Sequence, residues 1–271
     1  MSRFEPLYKF REVNEYSLSS ITENTLWFSH VDDFNDPFEL FYKITSGIDL
    51  NNMDEALEVY LSFAEKSQIS NEGFKNVILK TLATLDEKTK HSIIEQISDK
   101  IKLLQDDKIH KVKSDNKIFS LSFANDHPLL WGHYANGLKG MCIEYDFNNQ
   151  KQPLNIGYCP VDYLDKPFTI NLLNLLKART DISIYGNEIF ATKNEVWAYE
   201  EEFRLISENE VMPGNKYQLS EGVISSIIIG EKMSVKDQLK VKNTVGDRNI
   251  KLYKAVAVPS DFRIDIVEYE D

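Results

Sequence analysis

The segment Trp197-Ala198-Tyr199-Glu200-Glu201-Glu202-Phe203-Arg204-Leu205 reads as an extended strand with charges gathered on one side. Side chains alternate faces along a strand, so Tyr199, Glu201, Phe203 and Leu205 share one side and Glu200, Glu202 and Arg204 the other. Like charges one pleat apart repel, so such a row must be solvated or paired to be tolerated. The plain reading is the solvated outer face of a half-buried strand, with Arg204 bridging its neighbours. The alternative is that the row carries chemistry.

Outward from this segment, strand-like runs recur. Leu7-Tyr8-Lys9-Phe10-Arg11 is a first strand, Asn14 caps a short helix carrying Leu18 and Ile21, and Leu26-Trp27-Phe28-Ser29 is extended again. Further strands are expected at Ile118–Phe123, Met141–Asp146, Phe203–Ile206, Ile224–Ile229 and Lys251–Val256, with Gly230 closing the Ile-rich run. Pro128 to Asn136 reads as a helical turn, and Phe168 to Arg179 and Val235 to Val245 read as helices. Phe34-Asn35-Asp36-Pro37-Phe38-Glu39 holds a turn, because a residue before proline is pushed out of helical geometry.

Residues 52–112 carry apolar side chains at helical spacing: Leu57, Tyr60, Leu61 and Ala64; Phe74, Val77, Ile78 and Leu82; Ile93, Ile94, Ile97, Ile101 and Leu104. Three helices follow, broken near Ser70–Gly73 and Asp86–Glu87. The simplest architecture is one α+β domain over 1–271, with 52–112 as an inserted helical lobe that shields a sheet or meets a protein partner. The basic run Lys108–Lys113 is a polar helix end.

The 271 residues are 42% hydrophobic, with 15 Phe, 13 Tyr and 3 Trp to build a core. A formal charge of −12 repels nucleic-acid backbones and anionic membranes, which argues against a broad phosphate-binding face and leaves room only for a local basic groove. The two cysteines, Cys142 and Cys159, fall in no metal-ligand spacing, so no metal is expected and a reducing compartment fits. With neither an apolar leader at Met1–Pro6 nor a long uncharged run, the expectation is a soluble, cytoplasmic protein.

Three polar rows alternate with apolar ones: Lys9 and Arg11, Ser120 and Ser122, and Glu200, Glu202 and Arg204. The order Arg11, Ser120-Leu121-Ser122, Glu200-Glu201-Glu202 resembles the hallmark of one class of ADP-ribosyltransferases, although Leu121 stands where that class usually carries Thr. The resemblance implies a split mixed or antiparallel sheet around a cleft that holds NAD as substrate. Lys9 and Arg11 would hold the cofactor, and Ser120 and Ser122 would brace the nicotinamide pocket. Glu202 would stabilise the oxocarbenium-like centre, and Glu200 would orient or deprotonate an acceptor, a protein or a nucleic acid. The planar fork of arginine suits a pyrophosphate.

A second resemblance rests on Leu7–Arg11, Leu26–Ser29, Phe34–Glu39, Trp131-Gly132-His133-Tyr134-Ala135, Gly140–Glu144, Lys193 and Trp197–Arg204. This series is similar to the bacterial DUF2971 family, whose relatives turn up among prokaryotic toxins and phage-defence genes. That setting implies an NAD-consuming or nucleotide-modifying effector. Trp131, His133 and Tyr134 are core and backbone caps on the plain reading; as a site, the aromatics stack on a flat ring and His133 bonds a ribose or phosphate. Two other functions stay open. Asp36, Glu144, Glu200 and Glu202 would serve a Mg²⁺-dependent nuclease or phosphoesterase, with Lys193 near the scissile phosphate. A non-catalytic sensor would bind a nucleotide, or a protein through the helical lobe.

Overall fold

In the computed structural model, which describes residues 5–49, 51–68, 71–81, 84–180 and 182–270, the β-branched and aromatic runs fold into one mixed sheet of nine strands. These are β1 (Leu7–Arg11), β2 (Ser29–His30), β3 (Asn116–Ser122), β4 (Met141–Tyr145), β5 (Gly157–Pro160), β6 (Glu202–Glu208), β7 (Ile224–Gly230), β8 (Lys251–Val258) and β9 (Arg263–Glu268). Their order across the sheet is β9-β8-β7-β4-β1-β3-β6-β5, with β2 also on β3. All neighbours are antiparallel except β7 and β8. A parallel pair needs a crossover, and the helix Val235–Val245 between them supplies it.

The sheet is uneven at its centre. β1 pairs with β4 along its whole length, from Leu7↔Tyr145 to Arg11↔Met141, but with β3 only through Tyr8↔Ser122. Farther along β3, β2 takes over the edge, with Ser29 opposite Ile118 and His30 opposite Lys117. Between these pairings the Ser120 carbonyl accepts a hydrogen bond at 2.6 Å from the Lys9 ammonium, which also lies 5.0 Å from the Phe119 ring centroid. Lys9 is thus a wedge where two strands part, satisfying an acceptor that a ladder would otherwise satisfy.

Each face has its own core. On one, Leu7, Phe119, Leu121, Met141, Ile143, Phe203, Leu205, Ile227 and Ile229 pack with α1 (Glu15–Glu23) and the Val241 and Val245 side of the crossover helix. On the other, Phe10, Cys142, Ile228 and Ala255 meet α2 (Pro128–Tyr134) through Leu130 and Trp131. β7 is buried on both faces from Ser226 to Gly230, and there Ile227, Ile228 and Ile229 follow one another without polar alternation. The N-cap of α1 is Asn14, whose side chain accepts from the Ser17 amide at 2.9 Å while the Ser17 hydroxyl accepts from the Asn14 amide at 3.0 Å.

The chain divides into two compact units: Met1–Pro37, Asp115–Tyr163 and Asn194–Asp271, which carry the large sheet, and Phe38–Ser114 with Leu164–Lys193. In the second, the helices Met53–Lys66, Glu72–Thr81 and Glu87–Ser114 are joined by Leu172–Lys177. Leu57, Tyr60, Leu61 and Ala64 interlock with Ile94, Ile97, Ile101, Leu172, Leu173 and Leu176. A parallel pair, Tyr42–Thr45 with Phe168–Asn171, completes it. Among the described residues, no helix is long and apolar enough to cross a membrane.

Several expectations are corrected. The strand expected over 197–205 begins only at Glu202; Glu195–Glu200 is a 3₁₀ helix, capped by the Asn194 side chain on the Val196 amide and closed by Glu201 in the left-handed region at φ 42°. Phe168–Asn171 is strand, and only Leu172–Lys177 is helix, because Asn171 caps the Asn174 amide and stops the helix from starting earlier. Phe74, Val77 and Leu104 are exposed rather than core. The expectations at Ser70, Leu82 and residues 1–4 lie outside the described residues.

Candidate functional site

In-register pairing carries a polar row straight across the sheet on the α2 side: Ser226, Glu144, Tyr8, Ser122 and Glu202, contributed by β7, β4, β1, β3 and β6. Arg204 and Ser120 form the next pair along β6 and β3. Arg204 is wholly buried and Glu202 is 5% exposed, so the solvated-face reading of this row does not hold. The Arg204 Nε donates to Glu202 Oε1 at 2.9 Å and its Nη2 to Oε2 at 3.1 Å. Burial of two charges is tolerable here because the fork of the guanidinium matches both carboxylate oxygens.

Glu200 reaches the same place by another route. The 3₁₀ turn drops its carboxylate against α2, where the Tyr134 hydroxyl donates to Oε1 at 2.6 Å and the Asn35 amide donates to that hydroxyl at 3.3 Å. The turn is stitched to the end of β3: the Ser122 hydroxyl donates to the Glu200 carbonyl at 2.6 Å, and the Phe123 amide to the Glu201 carbonyl at 3.0 Å. The Tyr163 hydroxyl accepts from the Glu202 amide at 2.7 Å. Around Glu200 lies a shell of flat rings. Tyr199 stacks with His127 at 5.4 Å and 23°, and lies 6.2 Å from the exposed His133 ring and 6.1 Å from Trp197. The His127 Nδ1 is buried with no hydrogen-bond partner among the described residues.

At the other end of the row, both Glu144 oxygens are taken, by the Ser225 hydroxyl at 2.6 Å and the Ser226 hydroxyl at 3.0 Å. Tyr8 also bonds to Glu144, and burial together with that carboxylate pushes its hydroxyl up to about 12. Burial likewise raises the Cys142 thiol, and raises Cys159, which sits opposite Arg204 on β5.

The expected site residues separate into two groups. Glu200, Glu202, Ser122, Ser120, Tyr134 and His133 share one side of the sheet. Lys9 and Arg11 do not. They have the parity of Leu7, pair with Ile143 and Met141 of the opposite core, and so lie on the far face from Glu202. Burial lowers the pKa of Arg11, with the Tyr145 hydroxyl acting less strongly in the opposite sense. The guanidinium next to the acids is that of Arg204. Trp131 is 1% exposed, edge-on to Phe10 at 5.2 Å and 88°, with its indole N–H on the Asn125 carbonyl at 2.8 Å; it is packing, and its face is not open to a ligand. The carboxylates considered for a divalent ion do not gather: among the described residues no three His, Cys, Asp or Glu side chains converge to hold a metal. Lys193 pairs with Glu39 at 3.7 Å inside the second unit.

Tyr8, Tyr199, His127 and Tyr163 join the site from outside the motif pattern. Tyr8 was detectable from its parity with Phe10 rather than Leu7. Tyr163 offers no sequence signal.

Residues 130–205 match the family model DUF2971. It is described as a protein of unknown function. The DUF2971 match covers α2 from Leu130 on, β4, β5 and the start of β6, and so contains Tyr134, Glu144, Glu200, Glu202 and Arg204. It is narrower than the motif series above, since Leu7–Arg11 and Phe34–Glu39 fall outside it. No curated protein and no solved structure matches the chain.

Proposed function

We propose that this protein cleaves the nicotinamide–ribose bond of NAD and passes ADP-ribose to an acceptor or to water, as a toxin or phage-defence effector built on an ADP-ribosyltransferase-like split sheet. The observation that carries the reading is the meeting of Glu200, Glu202, Ser122 and Tyr134 from three remote segments on one sheet face. They meet where β1 and β3 part after Tyr8↔Ser122, and that parting supports a sheet opened at this point. Loss of nicotinamide leaves positive charge on the ribose, which a fixed carboxylate stabilises. Glu202 takes this role, oriented by Arg204. Glu200, with its Tyr134 hydrogen bond, takes or gives the acceptor proton. His133 and Tyr199 supply ring faces for a nicotinamide or adenine. Arg11 has no part in this arrangement.

The test is nicotinamide release from NAD by wild-type protein, Glu202→Gln and Tyr134→Phe, with circular dichroism verifying the fold of each. Release by the wild type that falls at least about a hundredfold in Glu202→Gln is the expected result. Equal release from wild type and Glu202→Gln rejects the assignment. One observation favours a second reading, a binding module without turnover: both Glu202 oxygens are already held by Arg204. That reading gives no nicotinamide release but a calorimetric signal on NAD addition that weakens in Tyr134→Phe.

A further inference from the structure

A hollow of about 370 Å³ opens beside the N-terminal ends of β7 and β8, lined by Lys151, Lys251, Asn149, Asn249 and Glu221, with Gly222 and Ser225 in its wall. At the spacing of neighbouring strands it lies about 19 Å across the sheet from Glu202, so it is separate from the acidic site. Its walls contain no apolar side chain, which disfavours an apolar ligand, and its volume falls in the range of small-molecule sites.

The two lysines outnumber the one carboxylate in it. Neither the Lys151 nor the Lys251 ammonium makes a hydrogen bond or ion pair among the described residues, and Glu221, in the same hollow, pairs with neither. Two ammoniums facing a shared space attract an anion, and in a chain of net charge −12 that local sign is against the whole. The rim is also built in advance. The Lys151 amide is tied to the Ser220 hydroxyl at 3.0 Å, the Ser220 amide to the Gln150 side chain at 2.9 Å, and the Asp146 amide to the Val223 carbonyl at 2.7 Å. The Asn149 side-chain amide donates to the Gly222 carbonyl at 3.0 Å and to Asp146 at 3.2 Å. Gly222 turns the chain at φ +85°, where a side chain would be strained. A site whose loops are already fixed loses little on binding.

We propose that this hollow binds a hydroxylated phosphate monoester of sugar-phosphate size. Lys151 and Lys251 take the phosphate, Asn249 donates to its oxygens, and Glu221 accepts from the sugar hydroxyls. A carboxylate in the hollow repels inorganic phosphate, whereas a ligand with hydroxyl donors at the end away from its phosphate can satisfy it.

Titration calorimetry with ribose 5-phosphate, inorganic phosphate and ribose, on wild type, Lys151→Glu/Lys251→Glu and Glu221→Gln, tests this. Ribose 5-phosphate is expected to bind wild type at least about tenfold more tightly than inorganic phosphate, with ribose undetected. The double charge reversal should abolish binding without moving the melting temperature, since neither ammonium holds a protein partner. Glu221→Gln should weaken ribose 5-phosphate and not phosphate. Failure of ribose 5-phosphate to bind, equal affinity in the charge-reversed protein, or phosphate as tight as the sugar ester overturns the proposal. None of these outcomes depends on NAD turnover.

Discussion

Glu202 and Arg204 stand two residues apart on one strand and close a doubly hydrogen-bonded pair with almost no access to water. The pair fixes which way the acid points, and it makes each partner depend on the other. Removing one charge strands its mate in a medium that solvates it poorly. Arg204→Leu is therefore expected to lower unfolding free energy by about 3–5 kcal/mol in urea titration, and Glu202→Leu/Arg204→Leu to recover much of that loss. A double variant no more stable than Arg204→Leu would show that packing, not the stranded charge, sets the cost.

Lys9 is expected to matter for stability rather than for turnover. Its ammonium satisfies the Ser120 carbonyl where β1 leaves β3. Lys9→Met keeps the stem and deletes the donor, and should cost about 1 kcal/mol, with nicotinamide release unchanged. A loss of release in a protein that keeps its wild-type melting temperature would return Lys9 to the site.

Two glycines should respond oppositely to alanine. At Gly140 a Cβ would lie 2.3 Å from the Arg11 carbonyl oxygen and 2.9 Å from that of Ala135, both backbone atoms that cannot swing away. Gly140→Ala should destabilise by about 3 kcal/mol. Gly132, inside α2, has nothing within 4 Å of such a Cβ, and Gly132→Ala should stabilise by about 0.5–1 kcal/mol through helix propensity. Thermal melts of both variants decide this.

Alkaline pH should unfold the protein in a defined window. The Tyr8 hydroxyl ionises near 10 when unfolded and at about 12 when folded, so the folded state holds its proton longer. Its contribution is complete below pH 10 and is lost as pH rises from 10 towards 12. Tyr60 and Tyr145 are shifted upward as well, also mainly by burial, and extend the loss to higher pH. Tyr8→Phe should show a shallower decline in melting temperature between pH 10 and 12; an unchanged slope would assign the decline to the other tyrosines.

Much of the architecture could be read from residue pattern alone. The apolar runs at 118–123, 141–146, 224–229 and 251–256 become strands at those places, and the interlocked faces of Met53–Lys66 and Glu87–Ser114 follow their helical period. What failed was local. Glu200 and Glu202 were assigned one pleat, although Asn194 caps a 3₁₀ turn and Glu201 reverses it, so the two acids reach one place by different geometry. The motif-order resemblance implies a site role for Lys9 and Arg11, yet Leu7 shares their parity and is 1% exposed; the apolar residue, not the charges, decides which face is core. Arg204 read as a surface bridge because nothing along a single strand reveals that α2 and the 195–200 turn cover that face. Short strands such as Ser29–His30 and Gly157–Pro160 owe their form to partners far away in sequence and leave no periodic trace.

The central place of β1 also dictates when the molecule can assemble. Its two neighbours are encoded at 116–122 and 141–145, so an emerging chain carries Leu7–Arg11 unpaired until those residues have left the ribosome. Synthesis therefore sets when this strand can pair, and until then the nascent Leu7–Arg11 segment exposes an unpaired, partly apolar strand.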